Sequence, residues 1–176
     1  MTLSAFTQAV TFSTITFIPL FMVDHFGVSE EAAAAFLSII YSAGLWASPL
    51  GGYLSDRLGK VPVTIAVCLI TGPAIYLLNL ASYSLGISAL LLIIGIVMYI
   101  RMPASESYII THAPEHRRSL IYGIYYFAGM EGSGILTPVM GSLIDRFGFH
   151  TSFTIASIAV VAMTLICSVF LWGRRD

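Results

Sequence analysis

The sequence predicts an all-α membrane protein, six transmembrane helices in an inverted three-plus-three repeat, forming a single bundle over residues 1–176. Three observations predict it. Only 10% of the residues are charged and 57% are hydrophobic, where a soluble domain would carry roughly a quarter charged residues. Six apolar stretches each reach the ~20 residues that a bilayer crossing requires. A motif recurs in the two halves of the chain, which sets repeat units of about 1–85 and 86–176.

The six stretches are 3–23, 32–54, 61–82, 86–111, 119–144 and 149–172. The breaks between them carry turn chemistry. Asp24, His25, Phe26, Gly27 and Val28 end the first stretch, and Ser29 can cap the second. Glu30 and Glu31 then fall in its first turn, where carboxylates complement the helix dipole. Asp56, Arg57, Gly59 and Lys60 separate the second and third stretches, and Pro114 to Arg118 the fourth and fifth.

This layout sorts the basic residues. Arg57, Lys60, Arg117, Arg118, Arg174 and Arg175 fall on one side of the membrane, Arg146 falls on the other, and Arg101 lies within a span. By the positive-inside rule both termini are expected in the cytoplasm of a cell-membrane protein. An all-α soluble bundle would not concentrate its basic residues in alternate loops. The N-terminus has no basic leader or small-residue cleavage site, so it does not read as a signal peptide.

The composition also narrows the function classes. No basic patch with interleaved aromatics is present, so no nucleic-acid partner is expected. Cys68 and Cys167 sit in apolar runs without metal or redox spacing and read as small buried hydrophobes. No phosphate-binding loop, Ser/His/Asp set or metal constellation occurs, so neither an enzyme nor a bound cofactor is expected. Coupling to a proton or another ion is open.

The repeat is the most specific signal. Residues 48–59, from Ser48-Pro49 to Asp56-Arg57-Leu58-Gly59, match residues 137–148, from Thr137-Pro138 to Asp145-Arg146-Phe147-Gly148. Pro, Gly, Leu, Asp, Arg and Gly recur in register, 89 positions apart. One copy ends the second span and the other the fifth, so the two have opposite orientations in the bilayer. The stretch Gly52-Tyr53-Leu54-Ser55-Asp56-Arg57-Leu58-Gly59-Lys60 resembles the loop signature G-x-L-x-D-R-x-G-[RK]-[RK] of the major facilitator superfamily. Val61 departs from it at the last basic position. Gly134 to Gly141 is similar to the Gly-Pro motif of a fifth helix, with Thr137 before the proline, and Pro114 to Arg118 resembles the family's loop between its fourth and fifth helices.

The resemblance implies a secondary transporter of about twelve spans in two halves, of which this chain would be one six-helix half. Three features point to the C-terminal half. The chain opens almost directly into a span, it closes on Arg174-Arg175-Asp176, and Arg101 is followed by Met102-Pro103-Ala104. The expected partners are a small solute, the lipid bilayer, and a complementary six-helix half or a second copy.

Three charges stand inside spans, Arg101, Glu131 and Glu106. A charge at the bilayer centre costs about 2.5–3.5 kcal/mol on insertion scales, so substrate binding or coupling is the first reading. A structural ion pair or a snorkelling side chain is the alternative. Arg101 and Glu131 lie at similar depth in consecutive antiparallel spans, and a pair near the midplane is expected. Glu106 lies nearer the cytoplasm and on another part of the helix surface.

The fourth span carries a polar face of Arg101, Ser105, Tyr108 and His112, and the first carries Ser4, Thr7, Gln8, Thr11 and Thr14. In the resembled family the first and fourth helices of each half line the cavity, so Ser105, Tyr108, Gln8 and Thr11 join the substrate candidates. Interhelical Ser/Thr packing is the alternative for the first stripe. The resemblance gives the loop of Gly52, Asp56, Arg57, Gly59 and Lys60 a gating role. Asp56 would meet a helix N-terminus or a cation of the opposite half, in contacts that break as the cavity opens. Secondary active transport is the leading reading. A non-transporting membrane module and a truncated inactive half are the others.

Overall fold

The computed structural model describes residues 2–81 and 85–172, with side chains described as far as 169. The expected end of the third span at Ser82 and the basic tail at Arg174 and Arg175 lie outside the described residues. The described residues are helical apart from short joints.

The order is α1 (Thr2–Phe26), α2 (Glu30–Ser42), α3 (Gly44–Leu58), α4 (Lys60–Leu77), α5 (Leu85–His112) and α6 (Arg118–Trp172). Short 3-10 turns follow α4 at Leu78–Leu80 and precede α6 at Glu115–Arg117. Ser29 caps α2 as expected, its side chain accepting from the Ala32 amide at 3.3 Å with Glu30 and Glu31 in the first turn. A single turn at Ala43 joins α2 to α3, and Glu30–Leu58 together make one stretch apolar and long enough to cross a membrane. Five such stretches occur among the described residues.

The last of them, α6, runs for 55 residues. A straight helix of that length would measure about 80 Å, far beyond the ~30 Å of a hydrocarbon core. Gly148 breaks it, with φ 77° and ψ 171°, so α6 is two arms, 118–147 and 149–172. Gly59, the matching residue of the other motif copy, has φ 93° and ψ 145° and separates α3 from α4. Side chains with a Cβ rarely adopt such backbone, which accounts for glycine in both places.

Helix α1 packs chiefly against α6, α2 and α3 against α5, and α4 against both α5 and α6. The larger core cluster gathers Ile18, Phe21 and Met22 of α1, Ile40, Ile75, Ile87, Leu91 and Met98, with Phe153 and Val160 of α6. A second cluster joins Ala43, Ala47, Val63, Val67, Val97, Ile100 and Ala104. Backbones meet closely between α2–α3 and α5. A Cβ built on Gly95 would stand 2.5 Å from the Ile40 carbonyl oxygen, and one on Gly51 would stand 2.7 Å from the Ile100 Cα.

Candidate functional site

Helix α5 carries two of the three intramembrane charges and turns them to different neighbours. Five residues of α-helix rotate a side chain by about 140°. Arg101 therefore faces α1, where it is 2% exposed. Its Nη1 donates to the Ser4 carbonyl at 2.8 Å, and one turn on the Ser105 and Ser4 hydroxyls stand 2.7 Å apart. Thr7, on the same side of α1, faces Cys68 of α4.

Gln8, Thr11, Ser13 and Thr14 are buried as well. Thr11 and Thr14 return their hydroxyls to the carbonyls of Thr7 and Val10, one turn back. The Gln8 amide lies against Gly129 of α6, and the Ser13 hydroxyl lies 3.1 Å from that of Thr137. The polar stripe of α1 is thus buried between helices of this chain. The parts of α1 left uncovered near mid-helix are Thr16 and Leu20.

The expected pairing of Arg101 with Glu131 does not form. Among the described residues the one ion pair is Arg118 with Glu115, at 3.9 Å. Glu131 stands on the uncovered face of α6 with Phe127, Met130 and Ile135, because its neighbours Gly129 and Gly132 are the residues that meet α1. Arg101 faces α1, and Glu131 lies on the exposed side of α6.

Glu106 is half-buried and faces away from α1. The Tyr126 hydroxyl donates to its Oε1, and Tyr122 donates to Tyr126 at 3.5 Å, the two rings 4.9 Å apart. Glu106 also lines an open cleft of about 390 Å³ between α2–α3 and α5, with Tyr41, Ser48, Tyr99 and Met102. Neither the tyrosine chain nor the aromatic wall was among the expected site residues. The one sequence signal for them was the density of Tyr and Gly at 41–44 and 122–126.

At the far end of α5, Tyr108 stacks on His112, with ring centroids 4.2 Å apart, and His112 contacts the Tyr108 carbonyl. Lys60 reaches across from the start of α4, donating to the Ser107 carbonyl at 3.4 Å and to the Thr111 hydroxyl. A small cavity of about 60 Å³ lies beside it, lined by Ser4, Thr64, Ser105, Tyr108 and Tyr125. Of the remaining loop motif, Arg57 sits 5.5 Å from the ring centre of Tyr53, Asp56 is exposed, and Gly52 faces open space.

Five helical stretches are long and apolar enough to cross a membrane among the described residues, and the model of the Major Facilitator Superfamily aligns with residues 1–176. The chain belongs to the Major Facilitator Superfamily. It is a multi-pass membrane protein.

Among curated relatives it is similar to the lysosomal dipeptide transporter MFSD1 of Bos taurus, 25% identical over 162 residues, covering 92% of this chain and 34% of the relative. It is 26% identical over 157 residues to a Na(+), Li(+), K(+)/H(+) antiporter of Planococcus maritimus, covering 85% and 36%. It is 24% identical over 179 residues to the glycerol-3-phosphate transporter of Bacillus subtilis (strain 168), covering 98% and 40%. The chain therefore spans about a third to two-fifths of the length of these superfamily relatives.

Proposed function

We propose that this chain is one six-helix half, the C-terminal one, of a secondary active transporter that moves a small solute by alternating access. A complementary six-helix half or a second copy supplies the facing wall. The carrying observation is the cleft between α2–α3 and α5. It is large enough for a small solute, holds a carboxylate at membrane depth, and is open on the side that this chain does not cover. The relatives' names and their greater length support the same reading.

In this reading α6 crosses twice, once on each side of Gly148, which gives six crossings. The matching positive φ at Gly59 and Gly148 supports an inverted repeat, because equivalent motif copies break their helices at equivalent residues. Glu106 and Glu131 are the coupling candidates, driven by a proton or ion gradient. Arg101, Ser105, Gln8 and Thr11 hold α1 inside the bundle, with Tyr108 at the mouth. The loop of Gly52, Asp56, Arg57, Gly59 and Lys60 is the cytoplasmic gate of a cell-membrane protein with both termini inside.

Two measurements test this. Single cysteines at Phe26 and at Leu58 should label from opposite sides of the membrane, and same-side labelling would remove the topology. Full-length protein in proteoliposomes should accumulate a solute from a panel of cations, anions and neutral molecules under an imposed gradient. The strictly monomeric 176-residue chain should not, and clear uptake by it would sink the two-half reading.

A further inference from the structure

We infer that the cleft between α2–α3 and α5 takes an organic cation, an ammonium-type head at Glu106 with an aromatic or apolar body between Tyr41 and Tyr99. The inference rests on the transporter reading only in treating the cleft as a solute site.

The charge of the cleft is one-sided. Glu106 is the sole carboxylate among its lining residues, and none of them is Lys, Arg or His. Arg101 cannot offset it from within the wall. It lies on the opposite side of α5, 2% exposed, with its Nη1 on the Ser4 carbonyl. An anion entering the cleft would meet a carboxylate of its own sign at low dielectric, and a cation would meet its counter-charge.

The walls fit the same class. Tyr41 and Tyr99 line the cleft with aromatic rings, a residue type that attracts ammonium groups, and the Met102 thioether adds a polarisable surface. The Tyr99 ring lies over Gly44, where a Cβ would come within 2.8 Å of it, so the glycine is what lets the ring reach the wall. Tyr126 and Tyr122 brace Glu106 from behind, donating toward the carboxylate from α6. A bare proton site would use neither a volume of about 390 Å³ nor two aromatic walls.

The test uses purified full-length protein and two probes of equal size and opposite charge, the 2-phenylethylammonium ion and phenylacetate, titrated by calorimetry at neutral pH. The cation should bind at least tenfold more tightly than the anion. Glu106→Gln should weaken it tenfold or more, Glu106→Asp should recover part of that loss, and Tyr99→Ala should weaken it less than Glu106→Gln does. Equal or tighter binding of phenylacetate, or binding of neither probe, overturns the inference. If Glu106→Gln fails to fold, the comparison of the two probes on the unaltered protein still decides. Cation binding without uptake would leave the cleft assignment standing and remove the transporter reading. Uptake confined to anions would do the reverse.

Discussion

The two faces of α5 carry one charge each and treat it in opposite ways. On the α1 face Arg101 is enclosed and spends a hydrogen bond on the Ser4 carbonyl, within a run of buried hydroxyls from Ser4 to Thr14. On the α3 face Glu106 borders open space and is braced from behind by Tyr126. A buried charge that is fully wrapped by its own chain stabilises one arrangement of helices. A charge at the edge of a cleft can exchange its partner for a ligand. In the proposed transporter the better-packed charge holds the helices together, and the less buried one is left for a ligand.

The α3 face is also where backbone meets backbone. Gly95 and Gly51 press on the Ile40 oxygen and the Ile100 Cα, neither of which can move without shifting a helix. Between α1 and α6 two of the close approaches, Gly129 on Gln8 and Gly141 on Phe17, are to side chains that can turn aside, and the third would set a Cβ on Gly132 at 3.1 Å from the Ala9 Cβ, looser than at Gly95 and Gly51. Gly95→Leu and Gly51→Leu should cost well above the ~1–3 kcal/mol of ordinary overpacking and abolish monodisperse protein on size-exclusion chromatography. Gly141→Ala should keep it. Equal losses at all three positions would erase the distinction between the two interfaces.

The sequence carried the all-helical, apolar character of the chain, the Ser29 cap and the break at Gly148, because these depend on local pattern. Six apolar runs and the Ser29 cap are written in consecutive residues, and the break expected at 145–148 falls on Gly148. The sequence did not carry direction. A stripe at i, i+4 and i+7 says which side chains share a face and is silent on which neighbour that face turns to. That choice is made by the glycines. Gly95 and Gly51 bring α5 onto α2–α3, Gly129 and Gly132 bring α6 onto α1, and the polar stripe of α1 is enclosed as a consequence. The Tyr126–Glu106 contact joins α5 to α6 across 20 positions, beyond the reach of any local pattern.

A double mutant sharpens the Arg101 side of the comparison. Arg101→Ala empties a buried position and removes the donor to the Ser4 carbonyl, so a lower melting temperature of the solubilised protein is expected, on the order of 2–4 kcal/mol of lost stability. Arg101→Met, which fills the same space without charge, should recover most of it. Adding Glu131→Gln to Arg101→Ala should restore nothing, because the two residues point to different neighbours and their effects should add within about 0.5 kcal/mol. A clear rescue would mean that the two charges meet in a state other than this one.

The smallest effect concerns Lys60, which ties the start of α4 to the last turns of α5 through the Ser107 carbonyl and the Thr111 hydroxyl. A cation near a helix C-terminus contributes about 0.3–1 kcal/mol, and this one is half-exposed, so the lower end is expected. Lys60→Met should leave expression and the cleft intact, since Lys60 is not among the cleft's lining residues. It should raise amide hydrogen exchange over residues 107–113 by a factor of about two, as the lower end of that energy allows. Exchange at residues 97–104, on the packed stretch of α5 above it, should not change. If both segments loosen together, Lys60 supports the whole of α5 and the cleft is not independent of the loop. If only 107–113 responds, the loop at Lys60 holds the end of α5 alone, and the cleft at Glu106 is independent of it.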